Sequence, residues 1–176
     1  APSGPTLMVD CGGGGNYEGA GRDVADGIVI PWLARRKIAQ VDAVAITHWD
    51  TDHCNALPRL LELTPVEMIL LPSELSEARP PEALSGRSLP QPMQAAAGGV
   101  LNMEDGVAVE VLAPRKPLLR GTGDDANANS LVMMVTHGRV RMLLTGDIGP
   151  SAATRLIRDA RNTGRSLHAD VLVLPH

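Results

Sequence analysis

The chain has no phenylalanine, one tyrosine and two tryptophans, so it offers few flat rings for stacking unpaired bases, and contacts to phosphate would have to dominate any binding of nucleic acid. Its two cysteines, Cys11 and Cys54, are too few for a disulfide framework, and their spacing fits no cysteine-based zinc site. An excess of positive charge is also missing. The formal net charge is −4, which argues against capture of nucleic acid by a broadly basic surface. An anionic substrate would need local positive charge, and bound metal ions are a compact source of it. No apolar run approaches the roughly 18 residues of a membrane span, and the N-terminus lacks a basic-then-apolar signal pattern. As given, the chain is expected to be a soluble domain.

What is present suits one globular domain over residues 1–176, with 44% hydrophobic residues and 18 glycines. Runs rich in Val, Ile, Leu and Met predict strands at 6–10, 41–47, 66–72, 107–113, 131–136, 140–145 and 169–175, with His137-Gly138 as a hairpin turn. Helical patterns fall at 23–39, 56–63 and 151–163. Pro31 is expected to start or kink the first. The third stops at Gly164 and carries Ala153, Leu156, Ile157 and Ala160 on one face. Strands alternating with helices make this an α/β protein. The Pro-, Ala- and Gly-loaded stretch 79–99 reads as a surface excursion, and 114–129 as a polar loop at a strand end, where sites on such sheets tend to sit.

The strand at 41–47 runs directly into His48, Asp50, Asp52 and His53. Alternation along an extended segment puts His48, Asp50 and Asp52 on one side, and His53 joins them if the chain turns into the next helix. Two ions about 3.5–4 Å apart could share such a cluster, as in two-metal hydrolases. The competing reading is a solvated turn with capping Asp residues, common at helix starts. Asp10, Asp147 and His176 each follow a predicted strand and could reach the same sheet edge.

The order Val9-Asp10-Cys11-Gly12, Thr47-His48-Trp49-Asp50-Thr51-Asp52-His53, Asn129-Ser130-Leu131-Val132, Leu144-Thr145-Gly146-Asp147 and Leu174-Pro175-His176 resembles the metallo-β-lactamase superfamily. Pro31-Trp32-Leu33 followed by Val41-Asp42, with the His-x-Asp-x-Asp-His block, is similar to the hydrolase domain of ComEC-type competence (DNA-uptake) proteins. The resemblance implies a four-layer αββα sandwich, incomplete at both ends in this chain. It makes His48 and Asp50 ligands of a first metal and Asp52 and His53 of a second. Asp147 would bridge the two, and His176 would complete the second. Asp10 would orient ligands by hydrogen bonds without binding metal itself, and Asp52 and His53 would be the catalytic pair, with Asp52 orienting the nucleophile. The chain departs from the pattern in three places. Asp50 stands where many relatives have His, the stretch 124–129 lacks a further family His, and Cys54-Asn55 replaces small glycines.

The implied activity is metal-dependent phosphodiester hydrolysis on DNA, contacted mainly through phosphate and with little sequence preference. The implied cofactors are two divalent ions. An oxygen-rich first site favours manganese over an all-His zinc site, leaving manganese or zinc. The implied setting is a bacterial cell-membrane protein that carries this domain on its outer side, beside a membrane-embedded channel portion of the same parent. Asn127, Asn129, Ser130, Arg155 and Arg158 are candidates for substrate contact. Arg155, Arg158, Arg161 and Arg165 share part of one helix circumference and could track phosphates, or form a solvated face. Trp49 could stack on a base or pack. Two other readings stand beside this one: a related hydrolase of thioesters, lactones or small phosphodiesters, and a non-catalytic module that has lost a metal.

Overall fold

A computed structural model describes residues 4–13, 15, 18–72, 84 and 89–175. Its contacts divide the chain into two compact units, one of Ala1–Leu71 with Leu75–Gln94 and one of Pro72–Glu74 with Ala95–His176.

The first unit is built on a four-stranded sheet in the order β1-β2-β3-β4, from β1 (Leu7–Val9), β2 (Val41–Ala45), β3 (Val66–Pro72) and β4 (Gln91–Ala95). β1 and β3 flank β2 in parallel, with Leu7 opposite Ala43 and Val41 opposite Val66. A central parallel strand is covered on both faces and so needs apolar residues in succession. Val41, Ala43, Val44 and Ala45 are accordingly fully buried, and the backbone N–H of Thr6 donates to the Asp42 carboxylate at 2.6 Å. β4 lies inside the stretch expected to be a surface excursion. Its sequence, Gln-Pro-Met-Gln-Ala, lacks a strand pattern, but at a sheet edge the missing N–H of Pro92 is tolerated.

One long helix covers the expected 23–39 span, three residues displaced at each end. It runs as α1 (Ala20–Val24), a π turn over Ala25–Val29 and α2 (Ile30–Arg36). The Ile30 N–H reaches back five residues to the Ala25 carbonyl. Pro31 accounts for this, because in a regular helix its ring would collide with the carbonyl four residues earlier, and a widened turn relieves the collision. Leu33 closes against the core while Lys37, in the left-handed region at φ 58°, ends the helix. The short helix α3 (Thr51–Cys54) and α4 (Leu57–Leu63) follow β2. Leu57 and Leu60 of α4 are fully buried with Val44, Ile46 and Ile69. Each such side chain contributes about 1.5–3 kcal/mol relative to exposure.

The second unit holds a five-stranded sheet in the order β5-β6-β7-β8-β9. Its strands are β5 (Val100–Asn102), β6 (Val107–Ala113), β7 (Val132–His137), β8 (Val140–Leu144) and β9 (Val171–Val173). All neighbours are antiparallel except β8 and β9. His137 pairs with Val140, so the hairpin turns on Gly138-Arg139, one residue later than expected, with Gly138 at φ 59°. The helical turn α5 (Asp125–Ala128) interrupts the expected polar loop. Helix α6 (Pro150–Thr163) starts on a proline and ends at left-handed Gly164, φ 66°. Its packed face is Ala152, Ala153 and Leu156 against Val132, Met134 and Leu143, with Ala160 also buried. Ile157, expected on that face, is exposed.

Candidate metal centre

β1 and β2 end side by side, and the Asp10 N–H still donates to the Ala45 carbonyl at 2.8 Å. The chain then breaks away with Asp10 at φ 57°. A left-handed non-glycine residue is uncommon and tends to persist where the surroundings over-determine it. The carboxylate supplies that determination. Oδ1 accepts the Thr47 N–H at 2.7 Å, and Oδ2 accepts both the Thr47 hydroxyl and His53 Nδ1, each at 2.8 Å.

These bonds settle how both imidazoles are held. The single Thr47 hydroxyl proton goes to Asp10, so the contact between Thr47 Oγ1 and His48 Nδ1, at 3.0 Å, places the proton on His48 Nδ1. His53 Nδ1 donates to Asp10 directly. One carboxylate thereby fixes two rings with Nδ1 protonated, which puts the Nε2 lone pair of each on the ligand side. The rings lie 4.1 Å apart between centroids and tilted by 47°. His48 Nε2 is 3.5 Å from Asp50 Oδ2, and His53 Nε2 is 3.7 Å from Asp52 Oδ2. Those separations are long for hydrogen bonds. They suit two donors on a common divalent ion, since ligands about 2.1 Å from a metal at angles of 90–120° lie about 3.0–3.7 Å apart.

The rest of the loop serves this arrangement. Asp50 occupies the N-cap position of α3 without a side-chain capping bond, so the capping-turn reading does not explain its carboxylate. Backbone bonds stitch the segment after β1 to α3, from Cys11 N to His53 O at 2.7 Å and from Ala56 N to Cys11 O at 3.0 Å. Asn55 accepts from Gly13 N and donates to Gly13 O, and the Cys54 thiol donates to the Asp50 carbonyl. Cys54-Asn55, which departs from the family's glycines, thus braces the loop. Burial, and next the nearby Asp10 charge, push both the Cys11 and Cys54 thiols up to about 12, so they remain protonated at neutral pH. Gly12 is obligatory for a different reason: a Cβ there would lie 2.5–2.7 Å from the backbone of Asp52 and Cys54. Trp49 packs against the core. Thr47 and Asn55 were missed as site residues, and the one local signal was a hydroxyl directly before His48.

In the second unit, Asp147 follows β8 on a turn at Gly146, φ 53°, and lines a pocket of about 510 Å³ with Asp124, Asn127 and Ser151. Asn127 Oδ1 and Ser130 Oγ are buried with no hydrogen-bond partner among the described residues. Asn129 instead ties its loop together, accepting from Leu119 N and donating to the carbonyls of Leu119 and Asp125. Hydrogen bonds from Thr122 and Gly121 hold the Asp125 carboxyl below its usual range. Arg155 is committed to the carbonyls of Pro117 and Arg115, at 2.6 and 2.9 Å, and Arg165 pairs with Glu110 at 2.9 Å. The expected arginine stripe is therefore reduced to Arg158 and Arg161, both exposed. His176 lies outside the described residues.

The family model of the metallo-β-lactamase superfamily matches residues 1–176. The chain belongs to this superfamily. It is 29% identical over 157 residues to ComE operon protein 3 of Bacillus subtilis (strain 168), covering 85% of this chain and 18% of that protein. Among solved structures it resembles a metallo-β-lactamase with a HARLDQ motif from Cronobacter sakazakii, with a TM-score of 0.61 at 13% identity over 99% of this chain and 64% of that one. It also resembles Zn(2+)-bound PqqB from Methylobacterium extorquens, with a TM-score of 0.57 at 13% identity over 99% of this chain and 57% of that one. The chain thus spans about a fifth of the curated relative and about three fifths of these structures. Its two sheets with helices are the metallo-β-lactamase fold, and it is a superfamily hydrolase domain with metal-binding chemistry. Among the described residues, no helix is long and apolar enough to cross a membrane.

Asp10→Asn offers a direct check on the hydrogen bonding around both imidazoles. An amide keeps one acceptor oxygen and turns a donor toward the other position, so it cannot accept the Thr47 N–H, the Thr47 hydroxyl and His53 Nδ1 all together as the carboxylate does, and metal affinity should fall by about 10–100-fold, measured by competition with a coloured chelator. Unchanged affinity would mean that the Asp10 bonds do not preorganise the ligands.

Proposed function

We propose that this chain hydrolyses phosphodiester bonds in DNA, with two divalent ions, manganese or zinc, held at the ends of its strands. By the family resemblance, His48 and Asp50 would hold the first ion and Asp52 and His53 the second, Asp147 would serve both, and His176 would add a ligand to the second. The observation that carries this reading is the doubled arrangement of donors, two imidazoles side by side and each facing its own carboxylate across 3.5–3.7 Å. The resemblance of its motifs to the hydrolase domain of ComEC-type competence (DNA-uptake) proteins supports DNA as the substrate.

Bound divalent ions would supply charge stabilisation at phosphorus and lower the pKa of an attacking water. The chain's own residues supply position. Asp10 and Thr47 hold the imidazoles, Asp52 orients the nucleophile, and Asn127 and Ser151 in the 510 Å³ pocket present neutral polar groups to the sugar-phosphate. By the same reading the domain works beside a membrane-embedded channel portion of a larger parent protein, on the outer side of a bacterial cell membrane.

A substrate panel tests the assignment: single- and double-stranded DNA, a small phosphodiester, a thioester, a lactone and a β-lactam, each with metal and with chelator. Metal-dependent cleavage of DNA in preference to the others is expected. Preference for a thioester or lactone would replace the assignment, and turnover of DNA in chelator would contradict it.

A further inference from the structure

Helix residues Ile28 and Trp32 are 65% and 48% exposed, although the sequence gives them a core-facing phase. On an uninterrupted α-helix, at about 100° per residue, both would fall within about 40° of the stripe set by Gly21 and Ala25, and those two residues are buried. The π turn over Ala25–Val29 alters the phase. One residue of extra winding rotates everything beyond it by about 100°, which brings Leu33 onto the buried stripe, at 2% exposed, and carries Trp32 out of it. Solvent exposure of this large ring is therefore a product of the helix's irregularity, and π turns of this kind are frequent at functional sites.

The sequence on either side of Trp32 carries charge of one sign. Residues 27–41 contain no Asp or Glu, while Arg35, Arg36 and Lys37 follow one another in a chain of net charge −4, and all three are exposed. The Arg36 guanidinium lies over the Trp32 ring, 5.3 Å from its centroid, and holds it in place. A flat ring braced on one side by a guanidinium, with two further exposed cations beside that arginine in sequence, matches an unpaired base with its flanking phosphates.

The helix also has a fixed relation to the metal-ligand loop of the same unit. Gly21, at its start, packs so closely on the backbone of Asn55 and Ala56 that a Cβ would clash, and Asn55 is two residues beyond His53. Eleven residues of helix place Trp32 about 16 Å further along, roughly five nucleotides of a strand that rises 3.4 Å per nucleotide.

We propose that Trp32, with Arg35, Arg36 and Lys37, is a docking surface for single-stranded DNA, a stacking platform that positions a strand relative to the metal loop. The choice of DNA as occupant rests on the hydrolase reading above. An anionic bilayer is the poorer match, because amphipathic insertion needs a broad apolar face, and here Val29, Ile30 and Leu33 pack inward, leaving Ile28 and Trp32.

The test is fluorescence anisotropy of a short labelled oligothymidylate with this chain, at low salt in chelator so that no hydrolysis intervenes. Trp32→Ala should weaken binding about tenfold, with unchanged circular dichroism and melting temperature because the side chain is exposed. Trp32→Phe should recover most of the loss, and Arg35→Gln with Lys37→Gln should flatten the salt dependence. Equal binding by wild type and Trp32→Ala, or no binding by either, would overturn the proposal. Trp32-dependent sedimentation with phosphatidylglycerol vesicles and no effect on the oligonucleotide would also overturn it, in favour of a membrane surface. Cleavage in the metal-loaded panel is read separately. Equal oligonucleotide binding in a chain that still cuts DNA removes only the docking surface, whereas Trp32-dependent binding without any cleavage removes only the hydrolase reading.

Discussion

Asp52→Asn and Asp147→Asn should each abolish metal-dependent cleavage of DNA, lowering the rate by at least about 10²-fold, while leaving the fold intact. Both changes keep side-chain volume and replace a carboxylate that the proposal assigns to the ions. Asp52 is 45% exposed at its side chain, and Asp147 sits half-buried on a turn after β8, so neither substitution opens a cavity. Steady-state cleavage with the melting temperature as control separates loss of chemistry from loss of structure. An Asp147→Asn protein that cuts DNA at the wild-type rate would remove the bridging role assigned to it.

Gly12→Ala should disturb the loop that carries Asp52 and His53 although it adds a single methyl. Its Cβ would meet the carbonyl of Asp52 at 2.5 Å and the amide nitrogen of Cys54 at 2.7 Å. Backbone cannot swing aside as a side-chain tip can, so the loop carrying Asp52 and His53 must move by roughly 1 Å to restore ordinary contact, and a shift of that size can cost about 10²-fold in rate. Overpacking of this kind also costs about 1–3 kcal/mol, or about 2–12 °C in melting temperature for a chain of this size. Gly27→Ala is the matched control, because a Cβ there meets nothing within 4 Å. Equal melting temperatures and equal metal affinity in the two variants would show that the segment after β1 does not set the position of the metal loop.

Much of the architecture was legible because its signals are local. β3 and β6 begin and end at residues 66–72 and 107–113 as their Val- and Leu-rich runs indicate, and Gly164 ends α6 because only a left-handed residue closes that helix end readily. The candidate donor cluster stood out for the same reason, being compressed into residues 48–53. What escaped depends on tertiary context. β4 is a strand only because β3 offers an edge, its own Gln91-Pro92 start arguing against one. The outward turn of Trp32 follows from a change of helical phase that binary patterning with a 3.6-residue period cannot register, although Pro31 marks the place. The roles of Thr47 and Asn55 arise from hydrogen bonds to residues 37 and 42 positions away in sequence. Arg155 lay on a plausible phosphate-tracking face until its bonds to the Pro117 and Arg115 carbonyls committed it to holding a loop.

The central claim is that this chain binds two divalent ions through His48, Asp50, Asp52, His53 and Asp147. Elemental analysis of the purified protein, dialysed after incubation with manganese or zinc, counts them directly. The account predicts two ions per wild-type chain. Zero or one ion per wild-type chain would contradict it and leave a non-catalytic module as the better description.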